Sequence, residues 1–319
     1  MPAGNGTVLG RSMTNMSETT RTGSSFALVA GPAAMLLGML MFALNDAMGK
    51  WLVANYGLGQ VILIRSLAAL LILSPFIWRG GWKPITQAER PLMQALRVLF
   101  STLEVFCFYY AVTYLPLADV MTYWLAAPIY VAAASPLLLG EKVGWRRWTA
   151  IFIGFVGVVI TLEPSKAMFT MPAFISIVGT FAFAFMLLSG RSLRSTPDKT
   201  LVLFQLGGAG LAGLVIAPID WTRLTSVPEI ALLSLLGVVA MGAHMLVNRA
   251  LKISDAATVA PLQYTLLLWA IVFGWMFFGD VPGPTMMVGA TLIIGSGMFI
   301  FLREQQLKKG RSDRPLEVP

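Results

Sequence analysis

Apolar residues along this chain gather into ten stretches, each close to the roughly 20 positions that an α-helix needs to cross the hydrocarbon of a bilayer. They fall at about 31–54, 58–78, 92–114, 118–139, 147–163, 171–190, 200–219, 230–251, 256–279 and 285–302, and most joints between them are short. The pattern predicts an all-α integral membrane protein with ten transmembrane helices. Residues 1–28 are rich in Ser, Thr, Gly and Asn and predict a disordered tail. That tail has neither the charged start nor the short apolar core of a cleaved signal. Composition agrees with the span pattern: of 319 residues 57% are hydrophobic and 12% charged, too few charges to clothe a water-soluble domain.

The basic residues set the orientation, because Lys and Arg flanking short loops stay on the cytoplasmic side. With both termini cytoplasmic, ten spans leave every one of the 23 basic residues on that side except Lys50, Arg65, Lys166 and Arg223. A miscounted helix would scramble this bias. The net charge of +8 therefore reads as membrane orientation, and its scatter between apolar runs argues against nucleic acid. The single cysteine, Cys107, excludes an internal disulfide and a multi-cysteine metal site. No metal and no cofactor is called for.

The second half repeats the first at a shift of about 140 positions. Gly38, Gly49, Lys50 and Leu52 correspond to Gly179, Gly190, Arg191 and Leu193. Leu96, Ala111, Ala118, Val120 and Glu141 correspond to Leu235, Ala250, Ala257, Val259 and Asp280, and Pro75 and Trp78 to Pro218 and Trp221. Five helices per half is an odd number, so the second half enters from the opposite face. The expected fold is an inverted-topology repeat of two five-helix bundles, 29–165 and 166–303, followed by a basic cytoplasmic tail over 304–319.

Particular residues then carry a family likeness. Leu115-Pro116-Leu117-Ala118-Asp119, Pro128, Leu139-Gly140-Glu141-Lys142-Val143-Gly144 with Arg146-Arg147-Trp148, and Gly154-Phe155-Val156-Gly157 resemble the drug/metabolite transporter superfamily, most of all its EamA-type branch. Ala250-Leu251, Phe278-Gly279-Asp280 and Gly289-Ala290 echo it in the second half, Asp280 departing from the usual Glu. The likeness covers about 30–303. It implies a ten-helix carrier with a cavity between its halves and no ATPase part, in keeping with the lack of a Gly-x-x-x-x-Gly-Lys-Ser/Thr loop. Carriers of this kind include riboflavin importers, adenosylmethionine exchangers and amino-acid exporters.

Ionisable side chains at membrane depth cost several kcal/mol and mark a cavity or a partner. Glu104 lies mid-way along the third span, and its repeat mate Ala243 stands beside His244, the chain's one histidine. Both are candidates for proton coupling or for binding a cationic group; the alternative pairs Glu104 with Arg97 or Arg65 and leaves His244 a helix contact. Asp46 and Lys50, four residues apart on one face, form with Asn45 and Arg65 a second cluster. It reads as an internal ion pair, or as an anchor for a carboxylate or phosphate on the solute. Tyr109, Tyr110, Tyr123, Trp124, Tyr130, Tyr264 and Trp269, with the amide of Gln263, offer stacking surfaces for a planar molecule. Pro128 and Pro261 interrupt symmetry-related spans and are hinges or static kinks.

The expected partners are a small-molecule substrate and membrane lipid, with a homodimer left open. The expected activity is secondary active transport across the cytoplasmic (bacterial inner) membrane, with a riboflavin-like ring system as first substrate and amino-acid export next. An intramembrane enzyme is the contrasting reading. It is disfavoured because no His-Glu-x-x-His occurs and Phe278-Gly279-Asp280 lacks the further Gly of an intramembrane aspartyl protease. A channel or sensor is the other.

Overall fold

A computed structural model of the chain describes residues 12–80, 90–139, 144–161, 170–193, 195–253 and 260–312. The described residues are helical throughout apart from their turns and corners. Membrane-length apolar helices are α1 (Ser12–Asn55), α2 (Leu58–Gly80), α3 (Pro91–Tyr114), α7 (Met171–Ser192), α8 (Asp198–Ile216), α9 (Val227–Ile253) and α11 (Pro284–Ser312). Three shorter apolar helices, Leu117–Val131, Trp148–Thr161 and Leu262–Phe278, stand where the remaining expected spans fall. Among them α6 (Trp145–Thr161) is continuous, and the other two are broken.

Each break has a proline behind it. The expected helix 118–139 divides into α4 (Leu117–Trp124) and α5 (Ala127–Leu139), separated by a turn at Leu125 and Ala126. Pro128 falls in the first turn of α5, where a missing N–H costs least, and deprives the Trp124 carbonyl of the amide it would otherwise meet. The amides of Ala126 and Ile129 bond three residues back, to Tyr123 and Ala126, at 3.0 and 2.9 Å. Pro261 likewise opens a 3-10 turn, Ala260–Tyr264, ahead of α10 (Thr265–Phe273) and a π-helical turn at Gly274–Phe278. Positions 254–259, the start of that expected span, lie outside the described residues.

The first and last helices run beyond their membrane-length parts. Helix α1 starts at Ser12, within the segment expected to be disordered, although its membrane-length part is Ala30–Asn55. Extending an existing helix fixes one residue per new bond, so a polar flank joins a nucleated span at little cost. At the other end α11 continues from its span, Pro284–Arg303, into the basic tail. Arg11, Lys83, Glu141, Lys142 and Lys166 lie outside the described residues.

Four helix pairs dominate the packing: α1 with α9, α3 with α7, α2 with α8, and α6 with α11. Without a hydrophobic force between helices in lipid, such pairs depend on close backbone approach at small residues. On α6 and α11 the glycines face one another. A β-carbon on Gly157 would stand 2.9 Å from the Gly289 carbonyl oxygen, and one on Gly289 would stand 2.7 Å from that of Gly157. Replacing Gly289 with Val should therefore cost about 1–3 kcal/mol through overpacking. Reversible unfolding of the purified protein in mixed micelles measures this, and an unchanged midpoint would show that the two helices do not meet there.

Candidate functional site

Three charged side chains from three helices meet within the membrane. Asp46 comes from α1, Arg65 from α2 and Glu104 from α3, each within electrostatic range of the other two. Counting back from the helix ends at Asn55, Leu58 and Tyr114 at about 1.5 Å per residue, they lie roughly 10–15 Å along their helices. All three keep partial accessible surface while surrounded by protein, as cavity-lining groups do. The expected ion pairs are absent. Neither carboxylate comes within ion-pairing distance of the Arg65 guanidinium.

Neutral or aromatic groups provide what compensation there is. The Asn45 amide donates to Asp46 Oδ1 at 3.1 Å, and the Trp124 indole donates to Glu104 Oε1 at 2.9 Å. Arg65 lies over the Tyr109 ring, 5.2 Å from its centroid, in cation–π geometry. Tyr109 is 1% exposed, and among the described residues its buried hydroxyl and Asn45 Oδ1 make no well-aligned hydrogen bond, although the Asn45 side chain lies beside the hydroxyl. Gly49, one turn beyond Asp46, makes room for this ring: a β-carbon there would meet Tyr109 Cε1 and stand 3.0 Å from its hydroxyl. Backbone approach sets the other wall. A β-carbon on Gly237 of α9 would strike the Arg65 carbonyl.

His244 joins the group more loosely. It packs edge-on against Phe42 of α1 at 4.7 Å and lies in electrostatic range of Arg65 and Arg97. Arg97 does not reach Glu104, seven residues or about 10 Å along the helix. It turns to the Met186 carbonyl of α7 at 3.4 Å, an oxygen that also accepts from Ser189 at 2.8 Å.

Lys50 belongs elsewhere. The four-residue spacing from Asp46 suggests an internal pair, but Lys50 Nζ bonds Asp280 Oδ2 at 2.7 Å, donates to the Leu115 carbonyl at 3.2 Å and lies over the Phe278 ring at 4.7 Å. A carboxylate, a carbonyl and a ring together offer an ammonium group more than Asp46 alone does. Gly279, at φ 68°, turns the chain out of the π-helical turn and presents Asp280. The contact joins the first half to the second near the helix ends at Asn55 and Tyr114.

The remaining aromatics are spread through the protein. Tyr123 is buried, and Trp124 is held between Phe108, edge-on at 5.3 Å, and Gly179 of α7, so neither ring offers an open stacking face. Tyr130 packs with Phe155 and Phe181, and Tyr264 rests on Gly297 of α11 with Gln263 beside it in the 3-10 turn. Apart from these, a cleft of about 310 Å³ lined by Leu44, Met48, Trp51, Leu232, Phe277 and Phe278 is apolar. It is not the charged site.

The EamA-like transporter family matches the chain twice, over residues 29–163 and 169–302. The chain belongs to this family. This EamA-like protein is thus a multi-pass membrane transporter of the drug/metabolite transporter superfamily and not an enzyme. It is 27% identical over 288 residues to the riboflavin transporter of Vibrio cholerae, covering 89% of this chain and 96% of that protein. The S-adenosylmethionine uptake transporter of Rickettsia prowazekii is 24% identical over 272 residues, 85% of this chain and 92% of that one. The riboflavin transporter of Rhizobium johnstonii is 25% identical over 307 residues, 93% and 99% of the two chains. A crystal structure superposes with a TM-score of 0.57 at 17% identity, covering 89% of this chain and 99% of that one, a likeness of fold.

Two contacts of this transporter, Trp124 to Glu104 and Lys50 to Asp280, escape sequence reasoning. The repeat register offered a signal for the second, since it sets Asp280 against Glu141 and Lys50 against Arg191, two matched opposite charges. Removing one partner should strand a half-buried charge, at a cost on the order of 2 kcal/mol, between exposed and buried pairs. Lys50→Met and Asp280→Asn together should cost less than their sum by at least about 1 kcal/mol. Unfolding of the four proteins of this cycle measures the coupling; strict additivity would remove the pair.

Proposed function

We propose that this protein is a secondary active transporter that moves a small planar organic metabolite across the bacterial inner membrane by alternating access. The observation that carries this reading is the Asp46, Arg65 and Glu104 group: charged, partly accessible, within the membrane, and without an ion pair among the described residues. A site built for stability would close these charges on one another. One left open serves a proton or a solute, and Glu104 with His244 is positioned for either. Asp46, Arg65 and Glu104 come from the first half and His244 from the second. Tyr109 lies against Arg65, and the Trp124 indole holds Glu104.

The architecture we infer is ten helices in two oppositely inserted five-helix units, with both termini cytoplasmic. Helix packing supports it. Exchanging the halves turns the α1–α9 pair into the α7–α3 pair, and leaves α2–α8 and α6–α11 mapped onto themselves. The two family matches, each about half the chain, support the same division. Pro128 and Pro261 then act as equivalent hinges, and Lys50 with Asp280 closes the outer end in this state.

For the solute, the names of relatives favour riboflavin first. A specific feature favours S-adenosylmethionine as a second reading: two carboxylates face one guanidinium, a balance that suits a solute bearing a sulfonium charge. Full-length protein in proteoliposomes under an imposed proton gradient should accumulate one of these two solutes. Arg65→Gln should lower uptake at least about tenfold, as loss of a buried charged contact does, and Glu104→Gln should flatten its pH dependence. Failure to move either solute would refute the planar-metabolite reading; an unchanged pH profile in Glu104→Gln would remove Glu104 from coupling.

A further inference from the structure

Trp124 does something other than offer a ring to a solute. Its indole is 8% exposed, enclosed by the edge of Phe108 at an interplanar angle of 84° and by α7, where a β-carbon on Gly179 would stand 2.6 Å from the ring. What it presents is a single N–H, a donor that cannot accept, and that donor is spent on Glu104. It is also the last residue of α4, immediately before the break at Leu125 and Ala126. One side chain therefore touches the carboxylate, the second half of the protein and the break.

We propose that Trp124 is a positioning residue linking Glu104 to that break, so that capture of a positive charge at Glu104 releases the indole and lets α4 turn against α5. This rests on the reading of Glu104 as the coupling group. A hydrogen bond to an ionised carboxylate is roughly twice as strong as one to a neutral group, so protonation of Glu104 weakens the tie, while a cationic group of the solute leaves the carboxylate ionised and competes with the indole for its oxygens. The break is built to yield: Pro128 withholds an amide, and the amides of Ala126 and Ile129 bond three residues back rather than four. Other groups bearing on Glu104 are Arg65 from α2, Asp46 from α1, and Cys107 and Tyr109 from α3 itself. On the sides packed by α7 and α8, Gly179 and Gly208 face α3, and neither titrates.

The test needs no solute. Backbone hydrogen exchange over positions 120–130, corrected for its intrinsic pH dependence, is measured on the full-length protein in detergent at about pH 8 and about pH 5.5. In the wild type the segment should be protected at the higher pH and open several-fold faster at the lower. Trp124→Phe keeps an aromatic ring and deletes the N–H; Gly179→Val crowds the indole, and Cys107 of α3 beside it, from the other half. Both should exchange fast at both pH values, and the two changes combined should add nothing. Size-exclusion profiles check that each variant is folded, and either variant alone suffices. A wild-type response retained in Trp124→Phe, but lost in Glu104→Gln, overturns this proposal and leaves the coupling role of Glu104 standing. A response that survives in Glu104→Gln overturns both.

Discussion

Charge in a low-dielectric interior is the constraint on which this molecule is organised. Each of Asp46, Arg65 and Glu104 gives up hydration worth several kcal/mol, and mutual attraction repays that loss only with close geometry and saturated hydrogen bonding. Here the geometry is loose. One amide, one indole and one aromatic face supply the partners, and the guanidinium stays beyond ion-pair distance of both acids. The backbones must still come close enough for the three charges to share a field, and the glycines on either side permit it. Gly49 admits the Tyr109 ring against α1, and Gly237 lets α9 press on the backbone of α2 at Arg65.

The same scarcity of water governs the main chain. A carbonyl released inside a membrane must find protein or a wet cavity, so breaks in a spanning helix are tolerated where neighbours surround them. Both broken spans lie in the interior: Ala126 and Ala127 are fully buried, and the segment following Pro261 packs against α1 and α11. Local departures from α-geometry, a 3-10 turn on one side and a π-helical turn on the other, bring Asp280 round to Lys50. Thus the irregular backbone and the inter-half ion pair arise from one stretch of sequence, Ala260 to Asp280.

Periodic features were legible from the residues, and partnerships were not. The apolar runs located the helices, and counting along the third span put Glu104 at depth, because both depend on the regular rise of a helix. The prolines marked the right spans. They misplaced the breaks slightly: Pro128 sits inside the new helix, since its ring suits a first turn, and the turn itself falls on Leu125 and Ala126. Lys50 shows why pairing was out of reach. Its neighbour at four residues is a carboxylate, an obvious local partner, yet the acid it binds is 230 positions away. Trp124 is similar: its ring predicts stacking, whereas burial leaves its N–H as the working part. Long-range packing decides such choices, and no local period records it.

With Lys50 committed to Asp280, the central group stands at two acids to one guanidinium, and Arg97 lies further in against the Met186 carbonyl. Coupling and cargo then become one question. A solute carrying its own positive charge, such as a sulfonium, can neutralise the surplus acid on binding and loosen Trp124 without any other ion. A neutral ring system such as a flavin cannot, and its passage past the same charged group would call for a proton to accompany it. On this reading, the energy source of the carrier follows from the charge of what it carries. On either route of the proposed mechanism the Trp124 indole loses its hold on Glu104, by protonation of the carboxylate or by competition from the solute's cation, and the helix break beside it is freed.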